Sequence, residues 1–149
     1  MKKVNFVDKK GEEDIKNAIT ELTSKIDHRT LVIWATDCAE HILSYFEEKY
    51  PKDDRPRKAI EAGRAWVHGK LSVGEVRTTA FAAHAAARDI EECDARAVAR
   101  AAGHAAATAH VAGHAIHAAN YAATVIADER IWQYQHLLDL AKKQKITIY

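Results

Sequence analysis

The chain predicts an all-α fold, a single-domain bundle of about six or seven helices with alanine-rich central helices. Three observations carry this. Apolar residues recur at three- and four-residue spacing through most of the length. Alanine, the strongest helix former, dominates residues 80–127. Only two prolines and six glycines interrupt the chain, with no glycine-rich phosphate loop and no alternation of strands with helices. At 149 residues the whole chain, 1–149, is one domain with one core.

The elements follow in order. The first eight residues, with Val4, Phe6 and Val7, suit a short extended arm. From Glu12 to Ile26 the residues Ile15, Ile19, Leu22 and Ile26 form one helical stripe. Asp27 is placed to cap a second helix that runs to Lys49, before Pro51. Its stripe is Leu31, Trp34, Ala35, Cys38, Ile42, Tyr45 and Phe46, with Asp37 and His41 as i, i+4 partners at its edge. Asp54 and Pro56 open a third helix, which Gly69 ends. Ser72 and Glu75 make a capping box for the fourth, which carries Phe81, His84 and Arg88 on one face. Asp94 is the expected cap of the fifth.

From Asp94 to Lys143 nothing decisive stops the helix, yet an unbroken one would be roughly 75 Å long. A break is required, most naturally at Gly113 or its neighbours, with a second near Asp128. The final helix carries Ile131, Trp132, Leu137, Leu138 and Leu140, and KITIY reads as a short extended tail. Trp34, Trp66 and Trp132 lie on different helices, where they fill the space that alanines leave.

Lys plus Arg is 22 and Asp plus Glu is 21, so net charge points to neither nucleic acid nor an anionic membrane. The basic start has no apolar run behind it, as a signal peptide would, and no uninterrupted apolar stretch suits a bilayer span. A cytoplasmic location is expected. Cys38 and Cys93 form no CxxC pair and read as reduced thiols. Cys38, on the apolar stripe mid-helix, suits an inert buried cysteine better than a nucleophile.

Histidines supply the chemistry worth weighing. His110, His114 and His117 stand at i, i+4 and i+7, so a continuous helix would put them on one face with Tyr121 next in line. An i, i+4 histidine pair suits a divalent transition metal such as zinc, with a third ligand from His41, His84 or Asp37. Val111 follows His110, so the segment is not an HExxH motif. The simpler alternative has these imidazoles hydrogen-bonding between closely packed helices, and no cofactor. Arg96, Arg100, His104 and Thr108 form a second stripe, able to meet Asp37, Glu40 or Asp54 across the bundle. Arg55 and Arg57 flank Pro56 at a helix start, where they could clamp an anion or pair with Asp53, Asp54 or Glu61.

The segments WATDCAEHIL, DDRPRKAIEAGRAW, FAAHAAARDI and RAAGHAAATAHVAGHAIHAANYAA resemble an immunity-protein family of prokaryotic polymorphic toxin systems, related to immunity protein five. The resemblance covers residues 30–127. It implies an all-α cytosolic protein with a cognate toxin as partner. Its polar positions fall on Asp37, Arg55, Arg57, His84, Arg88, His104, Thr108, His110 and His114; His117 lies outside the pattern. These residues, with His41, are the candidate binding seam, and His110 with His114 is the candidate metal pair. The leading expectation is a protein that binds a toxin without catalysis. The alternatives are a metal-dependent helical-bundle enzyme and a structural module that dimerises through alanine faces.

Overall fold

Eight helices and no strand make up the described residues, 6–144, of the computed structural model. The KITIY tail and Val4 lie outside the described residues. Helix α1 (Lys9–Thr23) is capped by the Asp8 carboxylate, which accepts from Gly11 N–H at 2.8 Å. Its stripe is as expected: Ile19, Leu22 and Ile26 are buried and Ile15 packs against the core. Helix α2 (His28–His41) is capped by Asp27, which accepts from Thr30 N–H.

That helix stops short of the anticipated Lys49. At Ile42 the backbone leaves helical geometry (φ −115°, ψ 7°), and the chain resumes as one turn, α3 (Ser44–Glu47). Neither glycine nor proline marks the bend. Ile42, Leu43 and Phe46 are all buried there, so packing rather than local propensity sets it.

Helix α4 (Arg55–Val67) has Pro56 in its first turn. The Arg55 N–H is accepted by Asp53 rather than by Asp54, which makes no capping bond. Gly69 ends the helix in the left-handed region (φ 72°), with Lys70 N–H donating to Ala65 O and Gly69 N–H to Trp66 O. Helix α5 (Val73–Arg88) starts with the full Ser72–Glu75 capping box. For α6 (Cys93–Ala107) the cap is Glu92, which accepts from Ala95 N–H; Asp94 lies inside the first turn instead.

The long helical stretch does break where sequence required it. Residues 108–113 separate α6 from α7 (His114–Ala123), and 124–128 separate α7 from α8 (Glu129–Lys143). Asp128 turns the second corner with φ 57°, a conformation Asp tolerates better than most residues. Its carboxylate accepts the N–H groups of Phe6 and Val7, which ties the start of the chain to this corner.

Helix α6 is the axis of the bundle and packs against α2, α3, α4, α5 and α7. Ala95, Ala97, Ala99, Ala101, Ala102, Ala105 and Ala106 are buried on it, with Val98 as the larger exception. Side chains this small let neighbouring backbones approach. A Cβ added to Gly63 on α4 would lie 2.9 Å from Thr36 Cγ2 on α2 and 3.8 Å from Ala106 Cα on α6. Volume comes instead from Trp34, Ile42, Phe46, Ile60 and Leu137, all fully buried.

Trp34 is the link between layers. Its Nε1–H donates to the Gln133 carbonyl at 2.9 Å, and the Gln133 side chain donates to the Ala119 carbonyl, so α2, α8 and α7 are joined in series. Trp34→Ala should lower unfolding free energy by about 3–5 kcal/mol through the cavity. Trp34→Phe should cost roughly 1–3 kcal/mol, through the lost hydrogen bond to the Gln133 carbonyl and the smaller ring. Urea titration checks both; a loss below about 1 kcal/mol for Trp34→Ala would mean the layers are held elsewhere.

Candidate functional site

Two polar groups stand out at the margins of the alanine core. The first joins α5, α6 and α7. His84 lies over α6 at Gly103, where an added Cβ would come within 2.7 Å of its ring. Only glycine leaves room for the imidazole there. Arg100 Nη1 donates to His84 Nδ1 at 2.9 Å, which requires that nitrogen to be unprotonated. His84 meets the His104 ring edge-on at 4.9 Å between centroids. His104 in turn lies 5.1 Å from His114, 5.3 Å from His117 and 5.4 Å from the Tyr121 ring. His104 Nδ1 and His114 Nδ1 share a hydrogen bond of 2.9 Å, so one donates and the other accepts.

Burial first, and then the neighbouring Arg100, Arg88 and His114, pull the His84 pKa down to about 4. Burial likewise brings His104 to about 4, with His84, His114 and His117 adding to the effect. His114 is lowered in the same way. At neutral pH His84 and His104 are therefore uncharged imidazoles.

The second group joins α2, α4 and α8 around a cleft of about 360 Å³ lined by Asp37, Glu40, His41, Trp132 and His136. Trp132 stacks on His41, with ring centroids 3.7 Å apart and planes within 3°, and on His136 at 5.0 Å. Each imidazole is oriented by a carboxylate: His41 Nδ1 by Glu129 at 2.6 Å and His136 Nε2 by Asp37 at 2.7 Å. Glu129 is almost wholly buried, and that burial raises its pKa against the opposing hydrogen bond from His41. Arg64 completes the network by donating to Asp37 and to both oxygens of Glu40. The guanidinium bonds hold Glu40 below the usual carboxylate range.

Asp37 and His41 are therefore not partners of each other: Asp37 holds Arg64 and His136, and His41 holds Glu129. Arg55 is paired with Asp53 and Asp89, and Arg57 with Glu47. Both guanidiniums are held by carboxylates of this chain. The stripe on α6 does not cross to Asp37, Glu40 or Asp54. Arg96 donates to the Ile90 carbonyl, and Arg100 goes to His84. Thr108 is buried, donates to His104 O, and presents its own carbonyl to His28 Nε2 at 2.6 Å. Arg88 is exposed on α5.

His110 sits exposed in the turn after α6, and His114 is the first residue of α7. The one-face geometry of a continuous helix therefore does not form. His104, not His110, is the hydrogen-bonded neighbour of His114, and His117 belongs to the same ring cluster. Among the described residues no group of three or more His, Cys, Asp or Glu is arranged to hold a metal ion. Cys38 is fully buried, and burial together with Glu129 and Asp37 pushes its thiol well above the ordinary value. The buried alanines of α5 and α7 lie on helices that each pack against α6 inside the chain.

Sequence reasoning missed Arg64, Glu129 and His136, and assigned Trp132 only a packing role. A signal was present: Glu129, Trp132 and His136 stand at i, i+3 and i+7, a polar–aromatic stripe on α8. The apolar stripe of the same helix drew the reading away from it.

A family model described as Imm-5 like putative immunity protein matches residues 21–144, and the chain belongs to that family. The match extends the expected core of 30–127 at both ends and takes in α8 with its cleft residues. No curated protein and no solved structure matches the chain. Among the described residues no helix is long and apolar enough to cross a membrane.

The lowered pKa values of His84 and His104 set a pH dependence. An unfolded chain takes up protons on these groups as pH falls through about 6.5, whereas the folded chain resists until about 4. Their contribution is therefore complete above pH 6.5 and lost as pH drops toward 4. After allowance for solvent around half-buried groups, the two together should account for about 1–3 kcal/mol over that window. Glu129, with its raised pKa, works in the opposite direction. Unfolding of a His84→Gln/His104→Gln variant should show a shallower loss of stability between pH 6.5 and 4; an unchanged slope would refute the assignment. Gly103→Ala should displace His84 and cost about 1–3 kcal/mol, with a shift of the His84 ring proton resonances.

Proposed function

We propose that this chain is an immunity protein that neutralises a cognate protein toxin in the cytosol by binding and covering it, with no catalysis of its own. The family match across 21–144 is the observation that carries this reading. The cleft between α2 and α8 supports it physically. Binding energy at protein interfaces concentrates on a few rigid anchors, with Trp and Arg foremost. Trp132, stacked on two imidazoles that carboxylates hold in place, is such an anchor, and Arg64 lies beside it. Side chains already fixed by neighbours lose little freedom on binding. The near balance of basic and acidic residues favours a protein partner over nucleic acid.

Co-expression with the product of the neighbouring toxin gene should restore growth, and the two proteins should co-purify. Trp132→Ala should weaken the complex by about 2 kcal/mol or more, roughly thirtyfold, with a smaller effect on the melting temperature. If the chain neither binds nor protects against any product of its adjacent loci, the proposal fails.

A further inference from the structure

Of the nine arginines, Arg29 and Arg96 donate to the backbone carbonyls of Val67 and Ile90, and the other seven fall into two sets. Arg55, Arg57, Arg64 and Arg130 each hold a carboxylate of the same chain. Arg77, Arg88 and Arg100 hold none among the described residues. Arg77 and Arg88 are exposed on α5, and the only partner of the half-buried Arg100 is the neutral His84. The two sets also differ in place. On α5, Arg77, Phe81, His84 and Arg88 follow at four-, three- and four-residue steps, which puts them on one stripe. Arg100 joins that stripe from α6 through His84.

Phe81 lies within the stripe with 62% of its surface exposed, the most exposed large apolar side chain on any helix. Arg77 rests over its ring at 5.6 Å, a cation–π contact that fixes both groups at the surface. The charged groups that bear on His84 are Arg100, Arg88 and His114, so all of them are cationic or imidazole. An exposed aromatic flanked by guanidiniums without internal counter-charges is a surface that a complementary partner completes.

We infer that the outer stripe of α5, with Arg77, Phe81 and Arg88 at the surface and Arg100 held by His84 behind them, docks an acidic segment of a protein partner. Carboxylates of that segment accept from the guanidiniums, and an apolar side chain covers Phe81. The nature of the partner rests on the toxin-binding reading above. The surface chemistry is independent of it, and it is distinct from the Trp132 cleft on α2 and α8.

The intact chain is titrated into a fluorescently labelled short peptide alternating Glu and Leu, and into its Lys-for-Glu counterpart. The Glu peptide should bind saturably and weaken about tenfold between low and physiological salt, as screening requires; the Lys peptide should not bind. Arg77→Glu/Arg88→Glu should lower affinity about tenfold or more with an unchanged melting temperature. Phe81→Ser should weaken it at constant charge. Lys16→Glu, exposed on α1 and outside the stripe, should leave it unchanged. Absence of Glu-peptide binding, insensitivity to the charge reversal, equal competition by inorganic phosphate, or tighter binding of an oligonucleotide would each overturn the inference. Failure here would leave the co-expression result standing, and a chain that protects against no toxin could still bind the peptide.

Discussion

The architecture depends on the surface of α6 being made of alanine. A helix in contact with five others has almost no solvent-facing side on which to place large residues. With leucines there, five neighbours could not all approach; with alanines they come to near backbone contact, as Gly63 against Ala106 shows. Each buried methyl contributes little, on the order of 1 kcal/mol per carbon. Cohesion therefore comes from many close dispersion contacts and from a few large residues inserted from outside, Trp34 first among them.

Close approach also explains the imidazoles. Between α5, α6 and α7 lies a half-buried margin that holds His84, His104 and the Arg100 guanidinium. A flat, neutral, hydrogen-bonding ring fits, and Gly103 supplies the clearance it needs. Burial keeps His84 and His104 uncharged, which in turn lets His84 accept the Arg100 N–H and lets His104 and His114 share a proton. The ring cluster is thus a consequence of the same constraint that selects alanine, and it presents Arg100 as a fixed donor.

Periodicity made most of the fold legible. Stripes of i, i+3 and i+4 apolar residues, the Asp27 cap, the Ser72–Glu75 box and Gly69 are local signals, and the helices follow them. The length limit on a single helix located the two breaks in 94–143. What could not be read was the bend at Ile42, because tertiary burial of Ile42 and Leu43 decides it with no breaker residue. The site was legible in composition but not in pairing. That His104 meets His114 depends on the turn at 108–113 folding α7 back on α6, and that Asp37 meets His136 depends on contacts nearly a hundred residues apart. The stripe Glu129–Trp132–His136 was readable in principle, yet its meaning came only from the imidazole across from it.

A net charge near zero conceals how charge is distributed. On α4 and α8 every guanidinium is matched by a carboxylate of the chain: Arg64 by Asp37 and Glu40, Arg57 by Glu47, Arg55 by Asp53 and Asp89, Arg130 by Glu12. Such pairs add little to stability at a surface, but they orient groups and leave no guanidinium there without a counter-charge. On α5 the balance is absent, and guanidiniums flank an exposed aromatic ring. Local fields of this kind act over about a Debye length, roughly 8–10 Å, which is the scale of one helix face rather than of the molecule. The chain therefore offers a rigid Trp132 cleft lined by carboxylates and imidazoles on one side and a cationic stripe on another. A partner that must satisfy both is constrained in orientation as well as in chemistry, and two such constraints on one small bundle are a physical basis for specificity.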